Sequence, residues 1–186
     1  MARVLVPLAD GVEELEAVTL IDVLRRAKWE VVSAGLAGPS VRASRGVVLV
    51  PDADWHAVDP MTFDVLAIPG GAAGADALSR DEGVLEAVRC FAESGRLLAA
   101  ICAGPLVLQA AGVLDGRRAT CHPGVASRLT VTARLPERVV TDGNIVTSQG
   151  PGTAMELARA LIARGDGADA ARAVAEGLVL APGVTW

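Results

Sequence analysis
The chain has 186 residues, 52% of them hydrophobic, with a formal net charge of −5, three cysteines, two histidines and no tyrosine. That length suits one domain, residues 1–186, whose core needs no covalent staples, and an acidic chain without a basic cluster is a poor match for nucleic acid. Three cysteines without a Cys-x-x-Cys pair form no disulfide framework, which points to a reducing cytoplasm. The high hydropathy raises the question of a membrane, and Leu97–Leu114 is long enough to ask it. Gly104-Pro105 breaks that run in its middle, so a buried strand followed by a buried helix explains it, and no membrane partner is expected.

The chain starts without the long apolar segment of a secretory leader and meets Asp10 and Glu13 early. Arg3–Leu8 reads as a buried strand. Glu13–Ala27 follows as a helix, with Leu15, Val18, Leu20, Ile21 and Leu24 at helical spacing. Glu30–Ala34 is a second strand, and Val41–Val50, with Ser44-Arg45-Gly46 near its middle, is a hairpin or bent ribbon. Asp64–Ile68 is another buried strand, closed by Pro69-Gly70-Gly71. An amphipathic helix over Asp81–Ser94 leads to a strand at Arg96–Ile101 and a helix at Gly104–Ala111. Ala119–Gly124 is a strand end, and Val139–Thr141 with Ile145–Thr147 a hairpin. Pro151–Arg164 and Ala168–Glu176 complete the pattern as helices. Short apolar strands alternating with helices predict a mostly parallel sheet covered on both faces. Ligands in such folds bind beyond the carboxyl ends of the strands, where Ala9–Glu16, Pro69–Asp76 and Ile101–Pro105 would converge.

Cys102 stands where a strand hands over to a helix. Gly104 allows the tight turn, and Pro105 suits a first helical turn because its missing N–H would have no partner there. A thiol at that junction faces unpaired N–H groups, which favour a nucleophilic thiolate. Glu13, Glu14 and Glu16 open the first helix, where carboxylates complement its dipole. Helical spacing puts Glu13 and Glu16 near one face, so one of them can turn inward against the thiol. Desolvation and the like charge would then keep such a carboxyl protonated. The turn around Gly70 and Gly71 matches neither a dinucleotide fingerprint nor a phosphate-binding loop, but its N–H groups could approach a ligand oxyanion. His122 is the histidine available for activated-thiol chemistry. Cys121-His122 has no second pair at zinc spacing, so no metal is expected.

Seven segments in this order resemble one family. They are Asp10–Ala27 (DGVEELEAVTLIDVLRRA), Ala34–Gly38, Pro51–Ala53, Pro69–Gly71, Ala99–Pro105 (AAICAGP), Thr120–Gly124 (TCHPG) and Thr147–Thr153 (TSQGPGT). The chain resembles the ThiJ/PfpI superfamily, specifically its Parkinsonism-associated protein deglycase branch. The resemblance implies a flavodoxin-like three-layer α/β sandwich with a cysteine nucleophile elbow, assembled as a homodimer with the active site near the interface. By motif position Cys102 is similar to the reactive cysteine and Glu16 to its protonated partner. Gly71 and Ala103 would offer N–H groups to the sulfur or an oxyanion. His122 matches a nearby histidine that is poorly aligned for a strict triad, and Glu13, Arg26 and Arg45 match an interface network. Ala103 stands where the protease-like branch has a histidine, which argues against peptidase activity. The His-x-Glu of class I amidotransferases is missing after His122, and the chain is too short for the extra domain of the metal-binding chaperone branch.

The implied activity is a cofactor-free glyoxalase or deglycase that converts α-oxoaldehydes, or their early adducts on proteins, to 2-hydroxy acids. The alternative is an oxidative-stress sensor or redox-regulated chaperone acting through oxidation of Cys102.

Overall fold
The computed structural model describes residues 1–130 and 133–180. Among the described residues the strands are β1 (Arg3–Leu8), β2 (Glu30–Gly35), β3 (Val41–Arg42), β4 (Val48–Leu49), β5 (Ala53–Asp54), β6 (Val65–Ile68), β7 (Leu97–Ile101), β8 (Val139–Asp142) and β9 (Ile145–Ser148). The α-helices among the same residues are α1 (Glu14–Arg26), α2 (Ala72–Leu78), α3 (Glu82–Glu93), α4 (Pro105–Ala110), α5 (Ala154–Gly165) and α6 (Ala168–Gly177). Seven strands form one sheet in the order β5-β2-β1-β6-β7-β9-β8, while β3 and β4 pair separately. All neighbours in the large sheet are parallel except β8 and β9. This is the flavodoxin-like α/β architecture expected from the alternation of strands and helices.

The period-two alternation of each central strand divides the core. Val4, Val6 and Leu8 join Ala67, Ala99 and Ile101 under α1, α5 and α6, whereas Leu5, Leu66, Ile68 and Leu98 face α2, α3 and α4. Strands buried on both faces read as nearly continuous apolar runs, which is why Arg3–Leu8 and Leu97–Ile101 are recognisable. Asp81 caps α3 by accepting the Val84 N–H at 2.9 Å, and the helix buries Val84, Leu85, Val88 and Phe91. Among the described residues, no helix is long and apolar enough to cross a membrane.

Three expectations need correcting. In α1 the inward face is Glu14, Glu16, Ala17, Leu20, Val23 and Leu24, while Leu15 and Val18 are exposed. The helix carries apolar residues on two faces, and periodicity does not say which one meets the sheet. The segment Ala119–Gly124 contributes only an isolated bridge from Ala119 to Arg134 and then enters a 3₁₀ turn at Pro123–Arg128. The helix expected over Pro151–Arg164 starts as a 3₁₀ turn at Pro151–Thr153 and becomes α-helical only at Ala154. Helix α2 and the short β5 have no counterpart in the sequence reading, because the glycine-rich start of α2 masks its helical alanines.

Candidate active site
The carboxyl ends of β1, β6 and β7 bring the loops carrying Glu13, Gly70-Gly71 and Cys102 together. Cys102 follows β7 with φ 63°, an uncommon left-handed conformation for a residue with a side chain. Backbone bonds on both sides hold it there. Its N–H donates to Ser148 O at 3.0 Å, and its carbonyl accepts the His122 N–H at 3.0 Å. The elbow is completed by Gly104, where a Cβ would stand 2.7 Å from Ile68 O. Pro105 then opens α4, which is only six residues long.

Glu16 projects from the first turn of α1 into the core and is fully buried. Its Oε2 accepts the Gly70 N–H at 2.7 Å, while Oε1 is buried without a hydrogen-bond partner. An orphaned buried acceptor is costly as a charged oxygen and much less so as a protonated one. Burial accordingly pushes the Glu16 carboxyl up to about 7, with the Glu13 charge adding to the rise and the Gly70 N–H and Cys102 opposing it. Burial also raises the Cys102 thiol, to about 12, and the adjacent Glu16 charge pushes the same way. The Gly71 and Ala103 backbone N–H groups nearby pull it down.

The thiolate expected at a helix start is therefore opposed by burial and by a neighbouring carboxylate. The two groups titrate as a pair that resists carrying two charges. A proton held on Glu16 removes the Coulombic push on Cys102 and turns the carboxyl into a donor. A negative charge on the sulfur is then opposed chiefly by burial and favoured by the Gly71 and Ala103 amides.

The glycines are there for space. A Cβ on Gly70 would lie 2.5 Å from the Cys102 Cβ and 2.7 Å from Glu16 Oε2. Gly71 has φ 89°, and a Cβ there would meet Gly11 O at 2.1 Å. Gly70, expected among the oxyanion donors, instead commits its N–H to Glu16.

The remaining sequence candidates separate. His122 is exposed beside the cavity, and its Nδ1 accepts the Gly124 N–H at 3.0 Å as a cap. That nitrogen is occupied, so it is not poised to take the thiol proton. Glu13 Oε2 accepts the Ser44 hydroxyl at 2.8 Å beside the cavity. Arg45 borders the same cavity and gives its backbone N–H to Glu14 Oε1 at 2.9 Å. Arg26 lies apart from these and pairs with Asp22 at 2.6 Å, one turn back along α1.

Sequence reasoning missed the cavity positions of Asp10 and Arg42 and the link between Glu14 and Ser44, residues it read only as part of the acidic helix start and the hairpin bend. Buried Glu14 accepts from the Ser44 hydroxyl at 2.9 Å and from the Arg45 N–H, tying the β3–β4 hairpin to the helix that carries Glu16. These partners are 30 positions apart, so no local pattern announces them. The resulting cavity, about 650 Å³, opens over Cys102, with Gly71, Ala103 and His122 beside it and the hairpin contributing Arg42–Arg45.

Comparison with known proteins agrees with this architecture. The DJ-1/PfpI family model matches residues 2–164. The chain is 44% identical over 162 residues to Protein DJ-1 homolog B of Arabidopsis thaliana, covering 86% of this chain but 37% of that longer protein. It is 36% identical over 182 residues to the glutathione-independent glyoxalase DJR-1.2 of Caenorhabditis elegans, covering 97% of this chain and 96% of the relative. The crystal structure of Drosophila melanogaster DJ-1beta superposes with a TM-score of 0.93 at 39% identity, covering 97% of this chain and 98% of that one. With a matching family model over most of its length and near-full-length relatives above 30% identity, this chain belongs to the DJ-1/PfpI family.

Proposed function
We propose that the protein is a cofactor-free, cysteine-dependent glyoxalase that converts methylglyoxal, glyoxal and related α-oxoaldehydes to 2-hydroxy acids. The observation that carries this reading is the fully buried Glu16 carboxyl, with one unpartnered oxygen, packed with the Cys102 elbow around the same Gly70 turn. The glyoxalase name of the C. elegans relative supports it. The Cys102 sulfur adds to the aldehyde carbon, forming an S–C bond, and the resulting oxyanion takes a proton from Glu16. Glu16 then removes the proton on that carbon and returns one to the neighbouring carbon, while the new hydroxyl's proton passes to the neighbouring carbonyl oxygen, giving a thioester. Water cleaves the S–C bond, releases the hydroxy acid and restores the thiol. The sum is one aldehyde plus one water to one 2-hydroxy acid, with no external oxidant or reductant. Gly71 and Ala103 N–H groups serve the developing oxyanion.

Early aldehyde adducts on protein side chains are a further substrate of the same site, since they release the aldehyde reversibly. The decisive experiment follows lactate by NMR from methylglyoxal in buffer free of amines and thiols. Wild type should form lactate, Cys102→Ala should fall to background, and Glu16→Gln should lose roughly 10²–10⁴-fold in rate. Full turnover by Cys102→Ala sinks the mechanism.

A second reading, sensing of peroxide, draws on the same sulfur environment. Two peroxide equivalents, each reduced to water, would take Cys102 to a sulfinate held by Glu16 and the two amides. Intact mass after mild peroxide should then rise by two oxygens on Cys102 alone, and equal oxidation of Cys90 or Cys121 defeats this reading.

We also read the chain as one domain that forms a homodimer in the cytoplasm. Leu15 and Val18 on α1 and Val47, Val48 and Val50 on the hairpin are exposed, an apolar surface that suits a second copy. In that assembly Glu13 and Arg45 lie at the junction of site and interface, with Arg26 at its edge. Three free cysteines fit a reducing compartment.

A further inference from the structure
We propose that four buried hydroxyls, those of Thr120, Thr147, Ser148 and Thr153, are positioning groups for Cys102, because they hold the two backbone partners that keep the cysteine in its left-handed conformation. The inference rests on the glyoxalase reading only for the effect on turnover; the reactivity of the thiol tests it separately. Among the described residues, the buried Glu, Ser and Thr side chains are Glu13, Glu14, Glu16, Ser33 and these four. The glutamates belong to the start of α1, and Ser33 on β2 pairs with Asp52. Burying a hydroxyl costs free energy that an apolar side chain of the same size avoids, so four of them around one strand end call for a reason. All four are buried within one chain, so a second copy against α1 and the hairpin neither reaches nor replaces their partners.

Two adjacent residues at the end of β9 serve the two sides of the cysteine. Ser148 O accepts the Cys102 N–H at 3.0 Å. The Ser148 hydroxyl donates to Arg138 O at 2.9 Å and stands 2.6 Å from Thr153 Oγ1, which accepts the Gly150 N–H at 3.0 Å. This chain of bonds pins the strand end that carries the Ser148 carbonyl. Thr147, one residue earlier, serves the other side. Its Oγ1 accepts the Thr120 N–H at 2.9 Å, and the Thr120 hydroxyl donates to Leu135 O at 2.8 Å. Thr120 is thereby fixed two residues before His122, whose N–H donates to Cys102 O at 3.0 Å.

A residue with a side chain at φ 63° keeps that conformation only while its surroundings over-determine it. Two anchors do so here, one on each side of Cys102, and each traces back to a hydroxyl on β9. The register of β7 and β9, with Ala100 opposite Thr147 and Ile101 opposite Ser148, brings the pair level with the elbow. Valine has the shape of threonine, so Thr147→Val removes the acceptor and strands the buried Thr120 N–H without opening space. An elbow released from either anchor shifts the sulfur relative to the Gly71 and Ala103 N–H groups, which favour its charged form. The thiol then needs a higher pH to react.

The test is the rate of Cys102 alkylation by iodoacetamide against pH, read by peptide mass, with half-buried Cys90 on α3 as the reference in the same molecule. In that reaction the S–C bond forms, iodide leaves and the thiol proton passes to water. In Thr147→Val and in Ser148→Ala the Cys102 rate relative to Cys90 should fall roughly tenfold near neutral pH, with the Cys102 profile moved to higher pH. Thr147→Ser keeps the hydroxyl and should retain the wild-type profile. Ser33→Ala removes a buried hydroxyl bonded to Asp52 at 2.7 Å, and should lower the urea midpoint without moving the profile. In lactate formation the two hydroxyl deletions should lower kcat and leave KM within about twofold. A profile unchanged in both deletions overturns the proposal, as does an equally large shift in Thr147→Ser or Ser33→Ala. Where either deletion fails to fold, Thr153→Val at the outer end of the chain of bonds is read in its place, and an unchanged profile there overturns the proposal too. A protein that makes no lactate yet shows these shifts loses the glyoxalase reading and keeps the positioning role.

Discussion

At the scale of single residues, the proposed chemistry centres on Glu16, whose burial exacts a cost in stability. Its folded-state carboxyl is raised from 4.5 to about 7, chiefly by burial. Between those values the folded protein keeps a proton that the unfolded chain has released, so stability falls as pH rises across that window. The loss is on the order of 3 kcal/mol and is complete once the pH passes the folded value. Urea denaturation at pH 5 and pH 8 should show this fall in wild type, with the Glu16→Gln variant lacking its share of it. An identical pH dependence in both proteins would remove Glu16 as the buried titrating group. The presence of Glu16 near the start of the first helix is legible in the sequence, and its burial is not. A carboxylate in a first turn is ordinary dipole compensation until the sheet and the Gly70 turn close over it.

At the scale of elements, the turn between β6 and α2 controls how closely three loops approach. Gly71→Ala would place a methyl group 2.1 Å from Gly11 O in a backbone conformation with φ 89°. The expected cost is roughly 2–4 kcal/mol, visible as a lower urea midpoint, together with a displaced N–H at the Cys102 sulfur. Unchanged stability and unchanged lactate formation would show that this turn relaxes freely. The Gly-Gly pair marks a turn in the sequence, while its partner surface, the Gly11–Glu13 loop, is visible only in the fold. Helix α1 teaches the same lesson from its apolar residues. Leu20 and Leu24 reach the core, but Leu15 and Val18 point away from it. An interface stripe and a core stripe have the same period, so the helix is readable and its orientation is not.

At the scale of the whole molecule, the parallel order of β1, β6 and β7 gathers the site at the carboxyl ends of the central strands, and the hairpin walls it. The outward face of α1 beside that hairpin makes the homodimer testable. Leu15→Glu combined with Val18→Glu should give a monomer in sedimentation velocity while keeping the far-UV spectrum, because both side chains are exposed in the single chain. A wild-type protein that is already monomeric at high concentration would dispose of the homodimer. A charged pair buried in an apolar interface costs several kcal/mol, enough to shift a dimer of ordinary affinity.

The sequence by itself determined the alternation of strands and helices, the elbow at Cys102 and the resemblance that assigns Glu16 as its partner. Those features are local: apolar runs, a proline at a helix start and motifs in fixed order. The tertiary structure decided which face of α1 is buried, that Gly70 serves Glu16 rather than an oxyanion, and that Glu14 and Ser44 join the hairpin to the helix. It also set Arg42 beside the cavity. Each of these depends on segments distant in the chain meeting at defined distances, and side-chain spacing along one segment carries no record of such meetings.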